Sequence, residues 1–189
     1  DIVCGGETLA EGIAVKKPGA VTQPVIGQHV DDVLLVDEQS LEWAVGTLVE
    51  QQRVVSEGAG AAGIAAIYQH REKFAGKKVG VVICGGNIDP RLLASILNRN
   101  MASDGRLARL RIDISDEPGM LAAITASISR CGGNIVEIYH QRLFYDVPAK
   151  LAKIDAVIET RGPDHVTEII EDLRQAQFQV RQLDDNSAG

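Results

Sequence analysis

The clearest pattern of apolar and polar positions lies between Leu107 and Asn134. Ala108, Leu110, Ile112 and Ile114 interleave with Leu107, Arg109, Arg111 and Asp113, and this alternation predicts a strand with one buried face. Ser115-Asp116-Glu117-Pro118-Gly119 breaks it. Pro118 is expected in the first turn of a helix, where its missing N–H has no partner to lose, with the acids ahead of it at the positive end of the dipole. Leu121, Ile124, Ile128 and Cys131 then recur at helical spacing, and Gly132-Gly133 stops the helix. Asn134 to Phe144 is rich in β-branched and aromatic residues and predicts a second strand. Lys153 to Thr160 predicts a third. A second helix follows Gly162-Pro163-Asp164, with Val166, Ile169, Ile170 and Leu173 inward, and Phe178 to Leu183 is a fourth strand. The order β-α-β-β-α-β is the ferredoxin-like arrangement.

The first half is less regular. Asp1 to Gly6 reads as the tail of a strand or loop, and Thr8 to Val15 as one or two helical turns closed by Lys16-Lys17-Pro18-Gly19. Thr22 to His29 suits a short helix. Asp31-Asp32 lead into Val33–Val36, an apolar run of strand length, and Asp37 caps a helix from about Glu38 to Arg53. Ser56-Glu57-Gly58-Ala59-Gly60-Ala61-Ala62-Gly63 places a carboxylate before small residues that open another helix, to about Phe74. Those residues permit close backbone approach, to a neighbouring element or to a ligand. Lys78 to Ile83 is a continuous apolar run of the kind buried in parallel sheets. It meets Cys84-Gly85-Gly86-Asn87, and a helix runs from Arg91 to about Asn98. A glycine pair at the C-terminal end of a parallel strand is a place where α/β proteins bind ligands. Neither a Walker loop nor G-x-G-x-x-G is present.

Composition narrows the function classes. A formal net charge of −7 disfavours nucleic acid and anionic membranes as partners. No apolar run is long enough to span a bilayer and no signal peptide is visible. Three cysteines, Cys4, Cys84 and Cys131, lack metal-ligand spacing, so a reducing cytoplasm is expected and no metal site. The chain starts at Asp1 without an initiator Met, and a fragment is expected.

The ISDEPGML turn, the CGGNI stretch before strand two and the order of elements resemble the ACT domain, a regulatory module of amino-acid enzymes. The resemblance implies side-by-side pairing of such domains, hence a homo-oligomer, with effector sites at the seam. Asp116, Glu117, Gly119, Met120 and Leu121 would come from one chain, and Asn134 and Ile135 from its neighbour. Free N–H groups at the helix start suit an amino acid's carboxylate, and the acids suit its ammonium. Met120, Leu121 and Ile135 suit an aliphatic side chain, so isoleucine or valine is the expected effector. A nucleotide would need cations that the turn lacks.

Earlier in the chain, ETLAEGIAVKKPG, DDVLLVDE, SEGAGAAG and CGGNID, in this order and ahead of an ACT domain, resemble the C-terminal part of threonine dehydratase (threonine ammonia-lyase). That family uses pyridoxal 5'-phosphate on a tryptophan-synthase-β-type domain. It converts threonine or serine to 2-oxobutanoate or pyruvate and ammonia. The implied fold is α/β and α+β: an incomplete parallel-sheet segment of a fold type II domain, then the ferredoxin-like βαββαβ ACT domain. Expected boundaries are 1–99 for the truncated catalytic portion, 100–105 for a linker, 106–184 for the ACT domain and 185–189 for a tail. By the resemblance, Cys84 faces the cofactor's ring nitrogen as a neutral partner, with Gly85, Gly86 and Asn87 beside it and Glu57 in the pocket wall. The family's Schiff-base lysine and phosphate loop have no counterpart here. Lys16, Lys17, Lys73, Lys77, Lys78, Lys150 and Lys153 read as solvated charges. The fragment alone is therefore expected to be inactive and not to hold the cofactor. Two alternatives remain open: a stand-alone effector-binding ACT module, and a serine dehydratase or racemase relative with an ACT tail.

Overall fold

Backbone packing divides the chain into two units, Asp1–Asn100 and Met101–Gly189. The computed structural model describes residues 7–17, 19–141 and 151–183. The expectations for 1–6, Pro18, 142–144, Lys150 and 185–189 fall outside those residues.

In the first unit a 3-10 turn at Glu11–Ile13 precedes α1 (Thr22–His29), α2 (Glu38–Thr47), α3 (Gly58–Gln69), α4 (Arg71–Phe74) and most of α5 (Pro90–Ser103), whose last three residues belong to the second unit. Asp37 caps α2 as expected: the Ser40 amide donates to its carboxylate at 2.7 Å. The same hydrogen bond holds that carboxyl below the ordinary Asp range. The helix expected to reach Arg53 relaxes into a π-helical turn over Leu48–Gln52, and Arg53 leaves it in the left-handed region at φ 58. Leu41, Ala44, Val45 and Leu48 pack against Ala61 and Ala65 of α3, with Ala10 and Ile96 completing the core. The helix expected to end near Asn98 runs to Ser103, because Asn100-Met101-Ala102 contains nothing that breaks it. It stops at Gly105 (φ +68), whose N–H bonds to Ala102 O at 3.0 Å while Arg106 N–H reaches Met101 O at 2.8 Å.

Neither Val33–Val36 nor Val79–Ile83 enters a ladder among the described residues. An apolar run forms a strand only when another strand takes up its backbone groups. Val33, Leu35, Val79, Val82 and Ile83 are exposed. The first of these segments is held instead by side chains. His70 Nε2 donates to Leu35 O at 2.8 Å, Lys73 Nζ meets Asp32 Oδ2 at 3.0 Å, and Asp37 N–H donates to Gln69 Oε1 at 3.0 Å.

The second unit follows the predicted order: β1 (Leu107–Ser115), α6 (Met120–Arg130), β2 (Asn134–Gln141), β3 (Leu151–Glu159), α7 (Pro163–Gln175) and β4 (Gln179–Leu183). The four strands form one antiparallel sheet in the order β2-β3-β1-β4. Alternate residues of β1 and β3 turn to the helices, so Leu110, Ile112, Ile154 and Ile158 are buried with Ile124, Ile128, Ile169 and Leu173. Each such side chain contributes roughly 1.5–3 kcal/mol by leaving water. Pro118 lies outside α6. The helix begins one residue after Gly119, which serves as its N-cap at φ 94, a conformation that costs glycine nothing.

Two polar ties fasten the helices. Asp172 accepts hydrogen bonds from the Ser127 hydroxyl and, at 2.7 Å, from Arg130. Buried His165 accepts from Arg161 N–H at Nδ1 (3.1 Å) and donates from Nε2 to Cys131 O (2.9 Å). On the helix-free face of the sheet, Asp155 is fully buried between arginines. Arg111 grips it through Nε (2.7 Å) and Nη2 (2.8 Å), and Arg109 adds a third bond at 3.0 Å.

Candidate functional site

The start of α3 and the loop at 84–87 meet in the first unit. Glu57 is the N-cap of α3, and its own N–H donates to Gly85 O at 3.1 Å. Gly85 takes φ +73, and a side chain there would collide with the Glu57 carboxylate, so this carboxylate lies directly over the Gly85 α-carbon. The Cys84 carbonyl rests against the α-carbon of Gly60, where a methyl group would find no space. Gly86 is more open, with Val55 O at 3.4 Å from where its Cβ would stand. Glu57, Cys84, Gly85 and Gly86 are thus brought together, and Asn87 continues the same exposed loop.

Ser56 is the member that the sequence did not single out. It is fully buried, and its hydroxyl lies 3.1 Å from Glu57 O and 3.3 Å from Gly85 O. The signal was its place at the head of SEGAGAAG, beside the more conspicuous Glu57. The run of small residues also resolves a choice left open by the sequence. Gly60 meets Cys84, Gly58 meets the Leu9 carbonyl and Gly63 meets Val81, so each gives close packing to a neighbouring segment. The 84–87 loop itself is exposed, and Cys84 is a free thiol on it.

This arrangement fits one end of a pyridoxal phosphate. A thiol is a neutral hydrogen-bonding partner for a pyridine nitrogen, and Gly86, exposed beside it, carries no side chain to crowd a flat ring. Lys16, Lys17, Lys73, Lys77 and Lys78 are exposed, and Lys73 is paired with Asp32.

In the second unit the turn residues are solvent-exposed at Asp116, Glu117 and Gly119, with Met120 and Leu121 partly buried at the start of α6. Glu117 N–H donates to Ser115 O at 2.9 Å, and Ala123 N–H, the next turn of α6, to Gly119 O at 3.0 Å. Asn134 and Ile135 open β2, an edge strand of the sheet, which is interrupted by a bulge between Ile135 and Glu137. Asn134 Nδ2 donates to Glu159 Oε2 across the ladder at 3.0 Å. No group of three or more metal-ligating side chains occurs among the described residues, and none of their helices is long and apolar enough to cross a membrane.

Residues 2–85 match the profile of a family described as pyridoxal-phosphate dependent enzyme. The chain is 38% identical over 94% of its length to an L-threonine ammonia-lyase of Thermotoga maritima, spanning 44% of that protein. It is 37% identical over 88% of its length to an L-threonine ammonia-lyase of Geobacter sulfurreducens, spanning 42% of it. The chain therefore covers less than half the length of these relatives. Among solved structures, the ACT domain from GTP pyrophosphokinase of Chlorobium tepidum aligns with a TM-score of 0.34 at 29% identity, covering 41% of this chain and 96% of that one.

Proposed function

We propose, on the premise that the chain is similar along nearly its whole length to L-threonine ammonia-lyases, that it is the C-terminal part of such an enzyme. The observation that carries this reading is the seating of Cys84-Gly85-Gly86 on the start of α3, over a buried serine and beside the Glu57 carboxylate. The parent would deaminate threonine or serine to the corresponding 2-oxo acid.

The cofactor, when bound, supplies the electron sink for the carbanion formed at the substrate α-carbon. This chain's residues would hold its nitrogen end. Cys84 offers the ring nitrogen a hydrogen-bonding partner that carries no formal charge. Gly85 makes room for the Glu57 carboxylate, Gly86 would let the ring come close, and Asn87 continues the same loop. Glu57 holds Gly85 in its left-handed conformation through its N–H and closes the wall on that side. A neutral partner at Cys84 would leave the ring nitrogen without a counter-charge, which would suit an elimination better than a transamination.

The second unit would regulate. Isoleucine or valine would bind between two such domains, its carboxylate at the N–H groups that open α6 and its ammonium near Asp116 and Glu117. Asn134 and Ile135 of a second copy would close the seam.

The test of the enzymatic reading uses the full-length parent. Threonine-dependent formation of 2-oxobutanoate is expected, with most activity retained in Cys84→Ser. Cys84→Asp should change the cofactor's absorbance and add transamination products, because a charge near the ring nitrogen stabilises the carbanion. The same spectrum and products in Cys84→Asp would place that thiol outside the site. The 189-residue chain alone, mixed with pyridoxal phosphate and reduced with borohydride, should carry no stoichiometric pyridoxyl group on any single lysine.

A further inference from the structure

Ser56 has no place in the chemistry described above, yet it is fully buried and its single proton is shared between two carbonyls. One of them, Gly85 O, also accepts the Glu57 N–H at 3.1 Å. The peptide leaving Gly85 is thereby fixed by two donors from one short stretch of backbone. The peptide entering Gly85 is fixed separately, by the Cys84 carbonyl against the α-carbon of Gly60. Gly85 itself sits at φ +73, a region in which few other residues would rest. Both peptide planes that flank Gly85 are therefore held from the α3 side, and Cys84 hangs from the entering one. A buried hydroxyl needs a partner, and here one of its two partners is the loop carrying the thiol.

Building on the reading of Cys84 as the ring-nitrogen partner, we infer that Ser56 is a positioning residue. It clamps the Gly85 carbonyl so that the Cys84 thiol is held at one height and angle toward the cofactor's nitrogen. Ser56 touches neither substrate nor cofactor. Its effect passes through the backbone of Gly85.

Two measurements test this. The first needs no cofactor: hydrogen exchange of the Glu57 amide in the 189-residue chain, whose acceptor is the clamped carbonyl. Ser56→Ala should speed that exchange by about fivefold, the loss of one net hydrogen bond, and Ser56→Cys, a weaker donor of similar size, should fall between. The second uses the full-length enzyme: the absorbance maximum of the bound cofactor should move in Ser56→Ala and return toward wild type in Ser56→Cys. Unchanged exchange in both variants overturns the clamp. Faster exchange with an unmoved absorbance maximum leaves Ser56 a structural residue and overturns its positioning role. A wild-type full-length enzyme that binds no pyridoxal phosphate overturns the cofactor reading itself, whatever the exchange result. If Ser56→Ala does not fold, Ser56→Cys carries both measurements.

Discussion

Replacing Asp155 with Asn should weaken the second unit by an amount that depends on pH in a defined direction. Asp155 has 0% side-chain exposure, whereas its partners Arg111 and Arg109 keep 19% and 50%. Three charge-assisted hydrogen bonds converge on its two oxygens, two from Arg111 and one from Arg109. An amide of the same shape keeps one acceptor and turns an N–H₂ group toward a guanidinium. Arg109 recovers water on its exposed side; Arg111 recovers little. Breaking a fully buried pair costs about 3–5 kcal/mol, and the partial solvation of the arginines brings the expected loss to about 2–3 kcal/mol. The hydrogen bonds from Arg111 and its charge, with those of Arg109, hold the Asp155 carboxyl below the ordinary range despite burial. A lowered folded-state pKa means stability that is present above the unfolded value of about 3.9 and is lost as pH falls through the folded value. The gap between wild type and Asp155→Asn should therefore be full at pH 7 and shrink below about pH 4. Hydrogen exchange resolved to peptides of β1 and β3 reports this unit separately. At pH 7 their opening should be about 30- to 150-fold more frequent in the variant. Arg111→Met combined with Asp155→Leu should recover much of the loss, because the charge then left without its partner, Arg109, is half-exposed and turns to water. An undiminished gap at pH 3, or a single variant as protected as wild type, would refute the assignment of that stability to the ionised carboxylate.

Gly60→Ala should dislodge the 84–87 loop, since its methyl group meets the Cys84 carbonyl and the Ser56 hydroxyl. Faster alkylation of Cys84 or its altered exchange protection is the readout, with Gly27→Ala, where nothing lies within 4 Å, as the neutral comparison. Gly119→Ala has open space for its methyl group but keeps φ 94, so it should cost about 1 kcal/mol of backbone strain, seen as a lowered urea midpoint for the second unit. Isothermal titration with isoleucine, valine, threonine and AMP should give saturable heat for a branched-chain amino acid that disappears in Asn134→Ala. Absence of heat with any amino acid up to millimolar concentration would exclude the effector site.

The second unit was legible because its code is local. Alternation in β1 and β3 and helical spacing in α6 and α7 each declare one buried face, and only one simple topology buries them all together. The same logic failed for Val33–Val36 and Val79–Ile83. Hydrophobicity identifies a segment able to be a strand, while pairing depends on backbone groups elsewhere, and among the described residues none meets them. The candidate site was half legible: Glu57 and the Cys84-Gly85-Gly86 loop stand out as motifs, but nothing in their spacing reveals that Ser56 binds the Gly85 carbonyl across 29 positions. Pro118 fell outside its helix because a left-handed Gly119 supplied the cap, a choice of backbone conformation that composition does not encode. Asp155 marks the sharpest division. By alternation it belongs to the polar, solvent-facing side of β3, and the sheet does place it there. Only the tertiary register, which sets it directly opposite Arg111 and within reach of Arg109, removes it from water. Sequence determines which face a strand residue occupies, because the period is a property of the backbone. What covers that face is decided by neighbours that the chain brings from far along its length.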